Sequence, residues 1–239
     1  MKKSKGGFFK RLLRFIIKAI IVFFLSSILI TVIFRFVPVP GTPLMVIRFF
    51  EQTFGDKDVV FSKDWVSIDE MSKNVVVAAI AAEDQKFPDH WGFDLASIEK
   101  AMQHNKKKKR VHGASTISQQ TAKNVFLWPH RDWIRKGLEV YFTFLIETIW
   151  SKERIIEVYL NIVELGNGVY GVEAASQKYF KKPAIKLTKA EAALLVSAFP
   201  NPFKFNPGKP SGYMFKRQQW IMGQMNNIEP TIEFLKKDK

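Results

Sequence analysis

Two short stretches of the sequence combine side chains that could act together in group transfer. The first, residues 83–92, reads Glu-Asp-Gln-Lys-Phe-Pro-Asp-His-Trp-Gly and follows the apolar segment 75–82. Because this segment is apolar, we expect the Glu83 carboxylate to lie in a packed setting that favours proton transfer. An isolated Glu-Asp pair is more often a solvated helix end, so the assignment depends on the rest of the chain.

The second stretch, residues 113–124, reads Gly-Ala-Ser-Thr-Ile-Ser-Gln-Gln-Thr-Ala-Lys-Asn. Ser115 or Thr116 can cap a helix on which Gln119 and Lys123 lie one turn apart. Free N–H groups at a helix start, a hydroxyl and an ammonium can together bind phosphate. A solvated helix face is the alternative explanation. The two stretches together predict a site for an anionic, phosphate-bearing substrate.

Two cations and another carboxylate follow shortly afterwards. Arg135 and Lys136 precede Glu139 by four and three residues, so all three share one helical turn. An ordinary intrahelical ion pair, worth only ~0.3–0.5 kcal/mol, is the simpler explanation. A second functional carboxylate held among cations is the other.

Helix caps are frequent and alternating strand patterns are scarce, so the sequence predicts a mainly α fold. We expect capping boxes at Ser67–Glu70 and Thr188–Glu191 to open helices, the first of which continues to Glu83. Asp132 and Ser151 can cap two further helices.

An uncharged run at residues 19–34 is close to the ~20 residues that span a bilayer. Seven basic residues and no acidic residue precede the run, and only Arg35 follows it closely. The positive-inside rule therefore keeps the N-terminus in the cytoplasm and the remainder outside. Since no small-residue cleavage site follows, we favour an uncleaved anchor over a signal peptide. The predicted divisions are a cytoplasmic tail (1–18), an anchor (19–37), a membrane-proximal linker (38–66) and one outer domain (67–230).

Composition fits this arrangement. The net charge of +15 favours an anionic membrane surface or substrate, and a domain outside the membrane argues against nucleic acid. The chain has no cysteine, so it forms neither a disulfide nor a thiolate metal site.

Two segments outside the motifs leave alternatives open. Residues 43–54 could form a short helix with Ile47, Phe50 and Phe54 on one face, which could lie in the membrane interface or pack in a core. The basic run Lys106 to Arg110 is predicted to be a solvated loop, with contact to lipid headgroups as the alternative.

The order of these motifs resembles that of peptidoglycan glycosyltransferases of the monofunctional, membrane-anchored type, which are related to the transglycosylase domain of bifunctional penicillin-binding proteins. Glu-Asp-x-x-Phe-x-x-His-x-Gly falls on residues 83–92 and Gly-x-Ser-Thr-Ile-x-Gln-Gln-x-x-Lys-Asn falls on 113–124. Arg-Lys-x-x-Glu falls on 135–139, Lys-x-x-Ile-x-Glu-x-Tyr-Leu-Asn on 152–161, and the family's closing motif on 171–180.

The resemblance implies a lysozyme-like helical fold and an enzyme that polymerises lipid II into β-1,4-linked glycan, with inversion and release of undecaprenyl pyrophosphate. It implies that Glu83 is the general base and that Glu139 is a second catalytic carboxylate, which orients cations or holds a divalent ion. No tightly bound cofactor is implied, although Mg or Mn could take part. The residues implied to bind substrate are Asp84, Phe87, Ser115, Thr116, Gln119, Gln120, Lys123, Asn124, Arg131, Arg135 and Lys136.

The resemblance also implies partners and a location. The partners are lipid II, the growing glycan strand and the membrane, with divisome or elongation proteins and transpeptidases as further candidates. The location is the inner membrane, crossed once, with the catalytic domain in the periplasm.

Three other classes of protein fit the sequence less well. A lytic enzyme would use a similar fold and one glutamate but would not need the cations, and a non-catalytic glycan-binding protein would not need Glu83. The transpeptidase patterns Ser97-x-x-Lys100 and Ser72-x-Asn74 occur in the wrong order and without Lys-Thr-Gly. We therefore expect no transpeptidase activity.

Overall fold

The chain forms two compact units, Met1–Val37 and Pro38–Lys239. The computed structural model describes residues 5–55, 59–107, 115–130, 132–228, 232 and 234. The first unit is one helix, α1 (Lys5–Phe36). Its stretch Phe8–Phe36 is long and apolar enough to cross a membrane, and it is the only such helix among the described residues. This finding is consistent with the predicted anchor.

The second unit is mainly α-helical, as predicted. Its helices are α2 (Pro43–Thr53), α3 (Lys73–Glu83), α4 (Leu95–Lys107), α5 (Ile117–Phe126), α6 (Trp133–Ile149), α7 (Lys152–Ile162), α8 (Val172–Phe180), α9 (Lys189–Val196) and α10 (Gly212–Ile228). Its short strands are β1 (Ser62–Lys63), β2 (Glu164–Gly166) and β3 (Val169–Tyr170).

Helix α3 lies in the core of this unit. Every residue from Val75 to Ala81 is buried, which requires neighbours on all sides because the helix is apolar all round. Helices α9 and α10 pack against it, and their residues Leu195 and Ile221 are fully buried. The enclosure of α3 fixes the position of its last residue, Glu83.

Helix α5 is the centre of the other helical group, since α6 and α7 both pack against it. Each of the three helices buries an isoleucine completely: Ile117, Ile146 and Ile156. The hydroxyl and amide side chains of the second sequence motif therefore lie at the start of a helix that packs against two neighbouring helices.

A small three-stranded sheet packs against α8. Its strand order is β1-β3-β2, with β1 parallel and β2 antiparallel to β3. The segment 38–66, predicted as a linker, thus contributes both α2 and β1 to the second unit.

Most of the predicted helix caps are confirmed, but one predicted continuous helix is not. Asp132, Ser151 and Thr188 each cap a helix with the side chain, as expected. The Ser67–Glu70 box also forms, but it closes only a 3-10 turn that ends at Glu70. Met71 is extended, and Ser72 is the N-cap of α3. The predicted continuous helix from the box to Glu83 is therefore two elements.

Helix α2 exposes most of its aromatic side chains. Phe49, Phe50 and Phe54 are 43%, 50% and 83% exposed, while Met45 and Gln52 are buried. Phe50 and Phe54 are therefore not packed in a core, which was one of the two alternatives for this segment.

Glu164 of β2 is a buried carboxylate beside α2. Its Oε2 lies 3.7 Å from Nε of Arg48, and its side chain is 8% exposed. Burial raises the pKa of Glu164 to about 7, and the positive charge of Arg48 offsets only part of that effect.

We expect the stability of the protein to depend on the ionisation of Glu164. Because burial raises the folded-state pKa of Glu164, the protonated side chain favours the folded state. This contribution to the unfolding free energy is complete below the unfolded-state pKa of 4.5 and is lost as the pH rises through about 7. Relative to Glu164→Gln, the wild type should lose on the order of 1–3 kcal/mol of unfolding free energy between pH 5 and 8. Unfolding in detergent across this range measures the difference. The exposed Glu99→Gln is the control, and parallel curves for wild type and Glu164→Gln would contradict the expectation.

Candidate active site

A cleft of about 530 Å³ opens beside the C-terminal end of α3. Its lining includes four residues that the sequence predicted for the site: Glu83, Asp84, Ser115 and Thr116. Two separate sequence motifs therefore meet in one cleft.

The Glu83 carboxylate is half-buried and is oriented by a chain of two side chains. Nε2 of Gln120 donates to Glu83 Oε2 at 3.0 Å, and the hydroxyl of Tyr159 donates to Gln120 Oε1 at 3.3 Å. Burial raises the pKa of Tyr159 well above its usual value, and the charges of Glu83 and Asp84 add to the effect. Tyr159 thus stays a hydrogen-bond donor, which fixes the amide of Gln120.

Asp84 has a different role from its neighbour. It is buried, and Nε2 of His90 lies 3.0 Å from both of its carboxylate oxygens. The backbone N–H of Ile117, the first residue of α5, donates to Asp84 Oδ2 at 2.9 Å. Both oxygens are thus engaged within the protein, and the carboxylate joins the end of α3 to the start of α5.

The start of α5 is fixed by a capping box. The Thr116 hydroxyl accepts the backbone N–H of Gln119, and the side chain of Gln119 accepts the N–H of Thr116 at 3.1 Å. The same hydroxyl donates to the carbonyl of Gly92 at 2.7 Å. Gly92 has φ +79°, and a Cβ there would lie 2.8 Å from the Thr143 side chain, so glycine is required.

A buried ionic network supports the first motif. Nζ of Lys152 contacts Glu147 Oε1 at 2.8 Å and the carbonyl of His90 at 2.5 Å. Ser118 of α5 donates to Glu147. Phe87 is fully buried, with Nζ of Lys152 4.7 Å from the centre of its ring. Phe87 is therefore not part of the cleft lining among the described residues.

The predicted cations of α6 form their own group. Nη1 of Arg135 lies 2.7 Å from Glu139 Oε2, and Nζ of Lys136 lies 2.5 Å from Glu139 Oε1. Glu139 and Arg135 are buried. Arg135 and Lys136 line a hollow of about 290 Å³ with Asp132 and Trp133. In the described part of the chain, the lining of this hollow does not include Glu83.

The remaining predicted residues lie either on α5 or outside the part of the chain that the structure describes. Lys123 and Asn124 are half-buried on the last turns of α5. Arg131 and Gly113 lie outside the described residues, as do residues 108–110 of the basic run Lys106 to Arg110.

Nine residues line the cleft although the sequence did not assign them to the site, and Lys86, Asp94, Ser97, Lys100 and Trp220 are among them. Lys86 lies inside the first motif, so its spacing from Glu83 was the signal that could have found it. Hydrogen bonds from Ser97 lower the pKa of Asp94, which caps the start of α4. Trp220 belongs to α10, and no local pattern links it to Glu83.

Comparison with known proteins identifies the family. The family model described as transglycosylase matches residues 51–226, which is most of the chain. The chain belongs to the transglycosylase family. The resemblance seen in the motifs is therefore confirmed, and so is the predicted enzyme class of a glycosyltransferase.

Relatives of known name cover this transglycosylase almost completely. A protein from Bdellovibrio bacteriovorus is 55% identical over 92% of this chain and 86% of its own length. One from Cronobacter sakazakii is 52% identical over 95% of both chains, and one from Escherichia coli is 52% identical over 98% of both. All three carry the name biosynthetic peptidoglycan transglycosylase.

We expect the Asp84 carboxylate to be needed for the stability of this transglycosylase. Asp84→Ala leaves the buried N–H of Ile117 and the ring of His90 without their shared acceptor, which should cost about 2–4 kcal/mol of unfolding free energy. The nearby Asp89→Ala is a matched control because Asp89 is exposed. Denaturant unfolding measures both. An equal loss in the two variants would argue against the role given to Asp84.

Proposed function

We propose that this transglycosylase polymerises lipid II into peptidoglycan glycan strands and releases undecaprenyl pyrophosphate. The observation that carries the proposal is the Glu83 carboxylate, which lines an open cleft while Gln120 orients one of its oxygens. The names of the relatives supply the polymer, peptidoglycan.

In the proposed reaction, Glu83 takes the proton from the 4-hydroxyl of the acceptor sugar. The oxygen of that hydroxyl attacks the anomeric carbon of the donor, forming the new glycosidic bond. The bond from that carbon to the pyrophosphate oxygen breaks on the opposite face, so the configuration inverts. Undecaprenyl pyrophosphate leaves with the bonding electron pair and needs no proton if cations meet its charge.

The cations proposed to meet that charge lie on α5, on α6 and between them. They are Lys123, Arg131, Arg135 and Lys136. Glu139 holds two of them, since its oxygens contact Arg135 and Lys136. A carboxylate shared by two cations leaves net positive charge, which suits an arriving pyrophosphate. We therefore assign Glu139 to orienting these side chains.

The remaining predicted residues divide into two roles. Ser115, Gln120 and Asn124 are proposed to contact phosphates or sugars. Asp84, Phe87, Thr116 and Gln119 are buried, and the contacts described above suit a positioning role for Asp84, Thr116 and Gln119.

We expect Glu83→Gln to abolish polymerisation. Loss of the base should lower kcat by at least about hundredfold, while the amide keeps the shape of the side chain. The assay incubates purified protein with labelled lipid II and scores high-molecular-weight product that lysozyme digests. Glu99→Gln, an exposed glutamate of α4, should match the wild type. Polymer from Glu83→Gln at the wild-type rate would place the base elsewhere.

The same assay separates the rival functions. A lytic enzyme would shorten preformed glycan and yield no polymer, and a binding protein would do neither. Transpeptidase activity is not part of the proposal. Ser97 donates to Asp94 at 2.5 Å and Ser72 donates to the carbonyl of Leu187 at 2.8 Å, so in both cases the acceptor of the hydroxyl proton is a group other than a lysine. Cross-linking would then fall to separate transpeptidases, and divisome or elongation proteins remain proposed partners.

The proposed location follows from charge and hydropathy. Helix α1 would cross the inner membrane once, with its basic N-terminus in the cytoplasm and the second unit in the periplasm. This orientation gives the cleft access to a lipid-linked substrate on the outer side.

We expect no tightly bound metal to be required. Both oxygens of Glu139 already contact cations, and among the described residues no group of three or more acidic or histidine side chains could hold a metal. Any Mg²⁺ or Mn²⁺ would enter with the substrate phosphates. Dialysis against EDTA should therefore lower polymerisation by less than about tenfold, with recovery on adding Mg²⁺. Complete loss after EDTA, with one equivalent of metal retained by the untreated protein, would contradict this.

A further inference from the structure

Trp220 is an aromatic residue of α10 that faces the same cleft as Glu83. Trp220 is 43% exposed, although the same helix buries the next residue, Ile221, and also Met225. At the wall of a cleft, a partly exposed tryptophan offers a large, flat apolar surface that a ligand can cover.

Arg217 holds the indole in place. Its Cζ lies 4.3 Å from the centre of the Trp220 ring, within the range of a cation–π contact. Nη2 of the same guanidinium donates to the carbonyl of Ala82 at 3.2 Å, one residue before Glu83. The ring of Trp220 is therefore tied, through one arginine, to the end of the helix that carries the proposed base.

The attachment of α10 to this end of α3 has a second polar contact. Nε2 of Gln85 donates to the carbonyl of Ala81 at 3.2 Å and to Oε1 of Gln224 at 3.2 Å. Two side chains of α10, one turn on either side of Trp220, thus contact the segment 81–85. The indole is pre-organised, so little conformational entropy is lost when a ligand covers it.

The chemistry of the cleft specifies what could cover the ring. A flat indole presents an apolar face with partial negative charge, and it suits the C–H face of a pyranose ring, whose hydrogens carry partial positive charge. The hydroxyls and amides of a sugar can meanwhile reach the polar groups that line the cleft, such as Ser115, Lys86 and Lys100. A phosphate has no apolar face to place on the ring, and a lipid chain has no hydroxyls or amides for the polar groups of the lining.

We infer that Trp220 is a sugar-stacking residue that positions a pyranose ring of the glycan substrate in the cleft beside Glu83. The inference rests on the proposed function for the identity of that glycan. Trp220 acts by binding and orientation and takes no part in proton transfer.

Steady-state polymerisation separates this positioning role from a structural one. Trp220→Ala should raise KM for lipid II roughly three- to tenfold, the equivalent of an aromatic contact of about 0.7–1.4 kcal/mol. Trp220→Phe should recover most of the loss because it keeps an aromatic face. Phe215→Ala is the matched control, since Phe215 is an exposed aromatic residue of α10 that does not line the cleft. Unchanged KM in Trp220→Ala, with active wild type, would overturn the inference while leaving the proposed function intact.

Direct binding gives a readout that does not require turnover. The protein contains six tryptophans, which 5-fluorotryptophan labelling makes visible as separate ¹⁹F NMR signals, and Trp220→Phe identifies the signal of Trp220. Addition of a β-1,4-linked N-acetylglucosamine tetramer should shift that signal in a saturable way. The same titration with inorganic pyrophosphate should leave it in place.

The two experiments also distinguish the two proposals. A sugar-dependent shift of Trp220 in a protein that makes no polymer would support the sugar site and contradict the proposed function. If the signal does not respond to the sugar in a protein that polymerises lipid II, the inference about Trp220 is wrong. The shift is measured on folded wild type, so it remains decisive even if Trp220→Ala fails to fold.

Discussion

The buried carboxylate of Asp84 is the contact on which the rest of the site depends. It follows the last residue of α3, accepts the N–H of Ile117 at the start of α5 and contacts His90 through both oxygens. A carboxylate is stabilised at a helix N-terminus by the free N–H groups and the helix dipole. One side chain therefore joins the helix that carries Glu83 to the helix that carries Gln120, and neither helix can move relative to the other without breaking a buried hydrogen bond.

A second network fixes the same elements from another side. Lys152 of α7 contacts Glu147 of α6 and the carbonyl of His90, and Ser118 of α5 completes the shell around Glu147. Buried charges are tolerated only where hydrogen bonds replace water, so this network fits one arrangement of the three helices. Such rigidity suits a site in which a base and an attacking hydroxyl must be held within a fraction of an ångström.

Local signals in the sequence predicted the starts of α5, α6, α7 and α9, because a cap is a contact between residues three apart. The Ser67–Glu70 box shows the limit of such signals: it reports that a helical turn begins, but Ser72 competes for the N-cap a few residues later. The sequence motifs also assigned Glu83 and Thr116 to one predicted site, and both residues line the cleft. It could not reveal Trp220, since Arg217 and its partner Ala82 are 135 residues apart and meet only through packing of α10 on α3.

The two adjacent carboxylates at the end of α3 show how backbone geometry divides chemical roles. Glu83 is the last helical residue, whereas Asp84 has φ −161° and ψ 78°, so the chain leaves the helix between them. Their side chains consequently enter different surroundings. Asp84 is buried and has both oxygens engaged by His90 and the Ile117 N–H, while Gln120 contacts one oxygen of Glu83 and that carboxylate lines the open cleft. A general base needs an accessible lone pair with a fixed direction, and the half-buried Glu83 meets this requirement better than the buried Asp84, which supports the proposed assignment of the base to Glu83.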